Sequence, residues 1–287
     1  MAPFAKIRAF VDEHGGALLT RSAALFGLIL LFFVAFGGVS HHARWHIDTV
    51  KISGATIVSD DSLRSFVNDT ISGNYFLVYA RDNSLIFPKA EIEQSVILKF
   101  PRIESAVVHK VDDHTIELVV TERKPYVLWC GEQFNAEAYE LADCWFADRS
   151  GYIFDKAPVF STGVYLELFA PLDTQNTDNP VGLNIPAARF TNTDSLVQAL
   201  ESSVSKPFRV IMLENSEYEF VMKSNLTYPM LEKVTLKLKD GIAPATVVKN
   251  LKAALAEEFP LGVSLSKKLL YIDLRFGNKI FFGFENN

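Results

Sequence analysis

Three rhythms of apolar and polar positions run along this chain, and each predicts a different kind of element. The first has no polar face at all. "AALFGLILLFFVAFGGV" runs from Ala23 to Val39, inside a stretch from Ser22 to Ala43 that carries no Asp, Glu, Lys or Arg. A helix lying on the surface of a globular core shows a polar face, and this run has none, so it is read as a membrane anchor. A helix over residues 22–43 would reach roughly 33 Å, enough to cross the hydrocarbon core. A cleaved signal peptide is the competing reading, with Ala35-Phe36-Gly37 as its small-residue site. The 21 residues before the charge-free stretch, and the length of the apolar run itself, both exceed what a signal peptide needs.

The other two rhythms, helical spacing and two-residue alternation, follow one another from Trp45 to Pro125. "WHIDTVKISGA" predicts a strand carrying Ile47, Val50 and Ile52, broken at Gly54. Ser59 offers an N-cap to a helix with Leu63, Phe66, Val67 and Ile71 at helical spacing. Ser72 to Phe76 reads as a turn. Pro88 suits a first helical position, Ile92, Val96 and Phe100 repeat at four-residue steps, and Pro101 ends that helix. Ala106 and Val108, then Ile116, Leu118 and Val120, alternate along two strands joined by Asp112-Asp113-His114. Strand, helix, helix, strand, strand predicts one sheet with a face covered by two helices.

Beyond Pro125 the texture changes. "VLW" and "CWFADRSGYIF" predict short strands around a turn at Asp148 to Gly151, and Pro171 to Pro186 reads as a polar loop. Leu196, Val197, Leu200 and Val204 return to helical spacing. Strands follow near Arg209–Leu213, Tyr218–Met222 and Val234–Leu238, then a helix from about Ala245 to Glu258. The chain closes as "LLYIDLRFGNKIFFGF", a hairpin turning at Gly277-Asn278. The fold class is therefore α+β: an N-terminal transmembrane helix, a small β-α-α-β-β domain, and a mixed sheet with helices.

Composition narrows the function. At 49% apolar and 22% charged, the chain is not mainly disordered. The net charge is −6, and discounting Lys6, Arg8, Arg21, Asp12 and Glu13 leaves the remainder still acidic, which argues against nucleic acid as a partner. Arg44 and Lys51 follow the span closely, so the positive-inside bias is slight. The layout favours a cytoplasmic N-terminus: a short tail, one span, then the bulk of the chain on the far side.

Candidate chemistry is sparse. His41, His42 and His46 cluster beside the span, but Asp48 alone does not complete a zinc set. Cys130 and Cys144 are the only cysteines; a disulfide and two buried thiols both remain open. No nucleophile elbow, zinc-protease motif, Ser-x-x-Lys or phosphate loop is present. Glu122 and Arg123 are adjacent on a strand and point to opposite faces, while Asp273 and Arg275 share a face and read as a surface ion pair. Asn68-Asp69-Thr70 and Asn225-Leu226-Thr227 match the glycosylation pattern. No catalytic residue, cofactor or metal is predicted. "KIFFGF" (Lys279 to Phe284) is apolar on both faces, with Ile280, Phe282 and Phe284 on one and Phe281 and Gly283 on the other. At the chain end after a hairpin, it predicts an edge strand open to strand addition by a partner, against an inner-strand alternative.

The order of motifs resembles the FtsQ/DivIB cell-division proteins over nearly the whole chain. The similarity rests first on Phe100-Pro101, Ile103, Ala106, Val108 and Lys110, then Thr115-Ile116, Leu118, Val120, Glu122-Arg123 and Pro125. Trp129, "ADRSGYIF" (Asp148, Gly151, Phe154) and the closing Asp273-Leu274-Arg275 hairpin continue it. Asp113 stands where a proline is usual, Val127 replaces a common alanine, and the Cys130–Cys144 loop and the Asn225–Lys233 stretch look like insertions. The resemblance implies a cytoplasmic tail (1–21), a transmembrane helix (22–43), a POTRA domain (44–123) and a β domain (124–287). It implies a non-enzymatic scaffold of the divisome, in the cytoplasmic membrane at the septum, linking septal peptidoglycan synthesis components. FtsB/FtsL-like partners would add a strand at Tyr271, Asp273, Arg275, Phe276, Asn278, Lys279, Phe282 and Phe284. Other divisome membrane proteins would be met through the POTRA domain and the span. A POTRA-bearing transport component and a membrane-anchored cell-wall enzyme are the alternatives.

Overall fold

In the computed structural model the apolar run is part of a longer helix, α1 (Pro3–Ser40). The structure describes residues 3–135, 143–174, 179–213, 215–260, 267–277 and 279–285, with side chains from Thr20 onward. Thr20–Ser40 is the part long and apolar enough to cross a membrane. Two boundaries differ from the sequence reading. Residues read as a tail are already helical from Pro3, and the helix stops at Ser40 rather than Ala43. The stop has a cause: the Asn83 side-chain amide donates to the Ser40 carbonyl (2.7 Å), and a 3-10 turn over Ala43–Trp45 redirects the chain.

The chain divides into two compact units, Met1–Glu122 and Arg123–Asn287. In the first, β1 (Thr49–Ser53), α2 (Asp60–Ile71), α3 (Lys89–Lys99), β4 (Ile103–Lys110) and β5 (Thr115–Glu122) form a sheet of order β1-β5-β4. β1 lies parallel to β5, and β4 antiparallel to it. The two helices bury Leu63, Val67, Ile71, Ile92 and Val96 against Val50, Ala106, Val108, Ile116, Leu118 and Val120. Those are the apolar positions that spacing singled out. Ser72 to Phe76, read as a turn, instead opens a small hairpin of β2 (Asn74–Tyr75) and β3 (Tyr79–Ala80). Two-residue strands are too short to show alternation.

The second unit holds a nine-stranded mixed sheet. Its strands are β6 (Val127–Trp129), β7 (Trp145–Ala147), β8 (Ile153–Lys156), β9 (Leu166–Phe169), β10 (Pro207–Met212), β11 (Glu217–Met222), β12 (Thr235–Lys239), β13 (Leu269–Phe276) and β14 (Lys279–Phe284). They lie in the order β14-β13-β12-β11-β10-β9-β6-β7-β8. Helices α4 (Ala187–Ser203) and α5 (Pro244–Glu258) help form the core on one face, with Leu200, Val247, Leu251 and Leu255 buried against Val210, Phe220, Leu236 and Ile272. A second apolar cluster of Leu128, Phe146, Phe154, Phe169 and Ile211 lies at the β6–β10 end, with Phe134, Phe160 and Tyr165 packed onto it. The sequence reading missed β9, which pairs parallel with both β6 and β10. A central strand buried on both faces loses alternation, and Glu167 within it disguises the run.

The Glu122-Arg123 pair sits at the division between the units. Ser59 makes no side-chain cap on α2. The Glu122 carboxylate instead takes the backbone N–H groups of Thr56, Ile57 and Val58, and the Thr56 hydroxyl, at 2.8–2.9 Å. Burial pushes the Glu122 pKa up, but those donors outweigh it and hold the group at about 2, against 4.5. The folded pKa lies below the unfolded one, so the stabilisation is complete above about pH 4.5 and fades as pH falls toward 2. Allowing for solvent screening of a partly exposed group, Glu122→Gln is expected to cost about 2 kcal/mol at pH 7. The deficit shrinks at pH 3. Urea unfolding at both pH values checks this, and equal midpoints for both proteins at pH 7 would dismiss the network. Arg123 turns to the second unit, where it pairs with Asp148 (2.5 Å) and lies over the Tyr152 ring (4.2 Å). Asp148 in turn holds the turn that follows, accepting the Ser150 and Tyr152 N–H groups.

Candidate functional site: the terminal sheet edge

β14 is the end strand, paired with β13 on one side and with no strand on the other among the described residues. An end strand leaves alternate N–H and C=O groups pointing outward, a template for another chain. The strand is short on guards: Lys279 is its one charged residue.

Its two faces differ. Toward α5, the rings of Phe282 and Phe284 lie 5.6 and 6.5 Å from Phe259, the residue just after the helix. Beside them runs a groove of about 530 Å³, lined by Ile280 and Phe282 from the strand and by Asn250, Ala253, Ala254, Glu257 and Glu258 from α5. The two alanines are why the groove exists: longer side chains at those positions would fill it. The Asn250 amide also reaches the Gly277 carbonyl at the hairpin turn (3.5 Å). On the opposite face Phe281 is 50% exposed and stands edge-on to Phe276, with ring centres 5.5 Å apart. The Tyr271 ring crosses β14 at Gly283, where a Cβ would come within 2.1 Å of it. Only glycine lets that ring lie flat on the edge strand, and Lys237 Nζ sits 4.8 Å above the same ring.

The eight residues expected to meet a partner divide into four groups. Tyr271, Phe276 and Lys279 are accessible on or beside the edge, and Phe282 and Phe284 are half-buried against Phe259. Asn278 lies outside the described residues. Asp273 and Arg275 are committed to each other, and this corrects the surface-pair reading. Arg275 donates to both Asp273 oxygens (2.9 and 2.6 Å) and to Glu217 (2.6 Å), and Asp273 is only 6% exposed. The Arg275 hydrogen bonds hold the Asp273 carboxyl below its ordinary pKa despite burial, and the two carboxylates push the Arg275 pKa up. The pair staples β13 to β11. Sequence reasoning did not assign Phe281 or the α5 face of Asn250, Ala254 and Glu257. Their spacing of four and three residues was the available signal.

Cys130 and Cys144 are bonded, with Cα atoms 4.2 Å apart. The three clustered histidines are spent separately: His41 Nε2 lies 3.0 Å from the Val78 carbonyl, His42 Nδ1 accepts from Arg44 N–H, and His46 Nδ1 faces Asp82 at 3.0 Å. Among the described residues no group of three or more His, Cys, Asp or Glu could hold a metal ion. Asn225 donates to the Val204 carbonyl (2.6 Å) and accepts from Thr227 and Tyr228, so its amide already organises the turn it stands in. No family model matches this chain, and no curated protein matches it.

Proposed function

We propose that this chain is a non-enzymatic, single-span membrane scaffold of the FtsQ/DivIB kind. Its second unit would take a strand from an FtsB-like partner, with an FtsL-like chain alongside, along the open side of β14. The edge of β14, unpaired among the described residues and apolar on both faces, carries this reading. Strand addition draws affinity from main-chain hydrogen bonds and specificity from pockets for alternate side chains, and the β14–α5 groove supplies such a pocket. The first unit, a three-stranded sheet under two helices in the order β-α-α-β-β with a hairpin inserted, supports a POTRA domain. It and α1 would meet other divisome membrane proteins. The bonded cysteines suit an oxidising compartment outside the cytoplasm, with the N-terminus inside and the protein concentrated at the septum.

Phe281 provides the cleaner test, because Phe282 also packs against Phe259 and its loss would disturb the fold. Phe281→Lys places a guard charge on an exposed position of the edge. It is expected to weaken capture of the FtsB-like partner by roughly 30-fold or more, the scale of an aromatic hot spot. Tagged full-length protein, wild type and variant, would be purified from its own cells and its companions identified. Unchanged recovery of FtsB-like and FtsL-like proteins would overturn the assignment of this edge.

A further inference from the structure

The hairpin inserted in the first unit does not stand apart from α1. Tyr79 Oη donates to the Phe33 carbonyl (3.0 Å), and the two rings meet edge-on with centres 5.0 Å apart. Ala80 N–H donates to Ser40 Oγ (3.0 Å), and Val78 packs on Gly37, where a Cβ would fall 1.9 Å from its Cγ1. Phe33, Gly37 and Ser40 lie at four- and three-residue steps, so they form one face of the helix, and the hairpin covers it. Phe33 is seven residues before the helix end, about 10 Å back along the axis. The hairpin therefore lies against the last two turns of the segment Thr20–Ser40 that is apolar enough to cross a membrane.

At its tip stand Phe76 and Leu77, 82% and 92% exposed. Their φ values are +48° and +65°, the left-handed region at both central positions of a tight turn. Such a turn favours Asn and Gly, and bulky side chains there are strained. The backbone does not account for a Phe-Leu tip, so the reason lies in what the side chains touch. Near its end the helix keeps Val34, Phe36 and Val39 exposed as well. Tyr75, an aromatic ring with a polar end, flanks the tip as an interfacial residue does.

We propose that the Tyr75–Tyr79 hairpin dips into the outer boundary of the bilayer, with Phe76 and Leu77 in the acyl chains beside the end of α1. The first unit would thus be held to the lipid surface at two points, the helix and the wedge, which fixes its tilt. This rests on reading α1 as membrane-spanning. The occupant is lipid rather than protein because the tip continues the lipid-facing surface of the helix it is bonded to.

The test uses full-length protein in phospholipid vesicles. The native cysteines are bonded to each other, so a single introduced cysteine takes an environment-sensitive fluorophore. Three positions are compared: Leu31→Cys in the apolar helix, Leu77→Cys at the tip, and Leu98→Cys, an 81% exposed site on α3. Nitroxide-bearing lipids report contact by quenching. The expected result is quenching and blue-shifted emission at 31 and 77, with 98 unaffected, and Phe76→Cys repeating the result at 77. Quenching at 31 with a probe at 77 as unquenched as at 98 overturns the wedge alone and leaves the tip to a partner protein. A probe at 31 that escapes quenching overturns the anchor reading and the wedge with it.

Discussion

Arg209→Met is expected to lower stability by about 3–5 kcal/mol, the cost of removing one partner from a buried ion pair. Arg209 on β10 and Glu167 on β9 sit side by side in the middle of the sheet, with Nε 2.9 Å from the carboxylate, and both are nearly inaccessible. The Phe134 ring lies over the guanidinium at 4.5 Å. Methionine fills much the same volume, so little of the loss comes from packing. What remains is a carboxylate buried without its strongest donor. Changing both residues, Arg209→Met with Glu167→Leu, is expected to recover most of the stability, because the charge left behind is the main penalty. Urea unfolding of the two variants separates these terms. A single-variant loss under about 1 kcal/mol would mean the pair behaves like an exposed one.

Breaking the Cys130–Cys144 bond is expected to cost about 3 kcal/mol, since the cross-link closes a 14-residue separation in the unfolded chain. The double variant Cys130→Ala with Cys144→Ala, and wild type in excess reductant, should unfold at the same lowered midpoint. The bond ends four residues before Phe134, whose ring packs edge-on to Phe169 at 5.1 Å and covers Arg209. The cysteine and arginine changes therefore share a partner, and their combined loss is expected to fall short of additivity. A wild-type midpoint unmoved by reductant would contradict the stabilising role.

How much was legible follows from what each element buries. The faces of α2 and α3 and the alternation of β4 and β5 could be read directly, because one side is core and the other is water. Ala106 and Val108 are buried where Val107 is exposed, as alternation requires. β9 escaped because both of its faces are covered, so no period survives. The hairpin at Asn74–Ala80 escaped because its strands hold two residues each. Asp273 looked like half of a surface pair because sequence shows that Asp273 and Arg275 share a face but not that Glu217 joins them from β11. Of the candidate site, the apolar edge strand was visible in "KIFFGF"; the α5 side of the groove was not. Small residues at Ala253 and Ala254 read as ordinary helix formers until a strand is placed beside them.

Strand addition at the terminal edge is the central claim, and site-specific photo-cross-linking in cells tests it most directly. A photoreactive amino acid would replace Phe281 on β14, or Leu226, which is fully exposed on the same unit and outside its strands. A covalent adduct with an FtsB-like chain from position 281 and none from 226 is the expected result. The same adduct from both positions, or from neither while the FtsB-like chain still co-purifies, would contradict it.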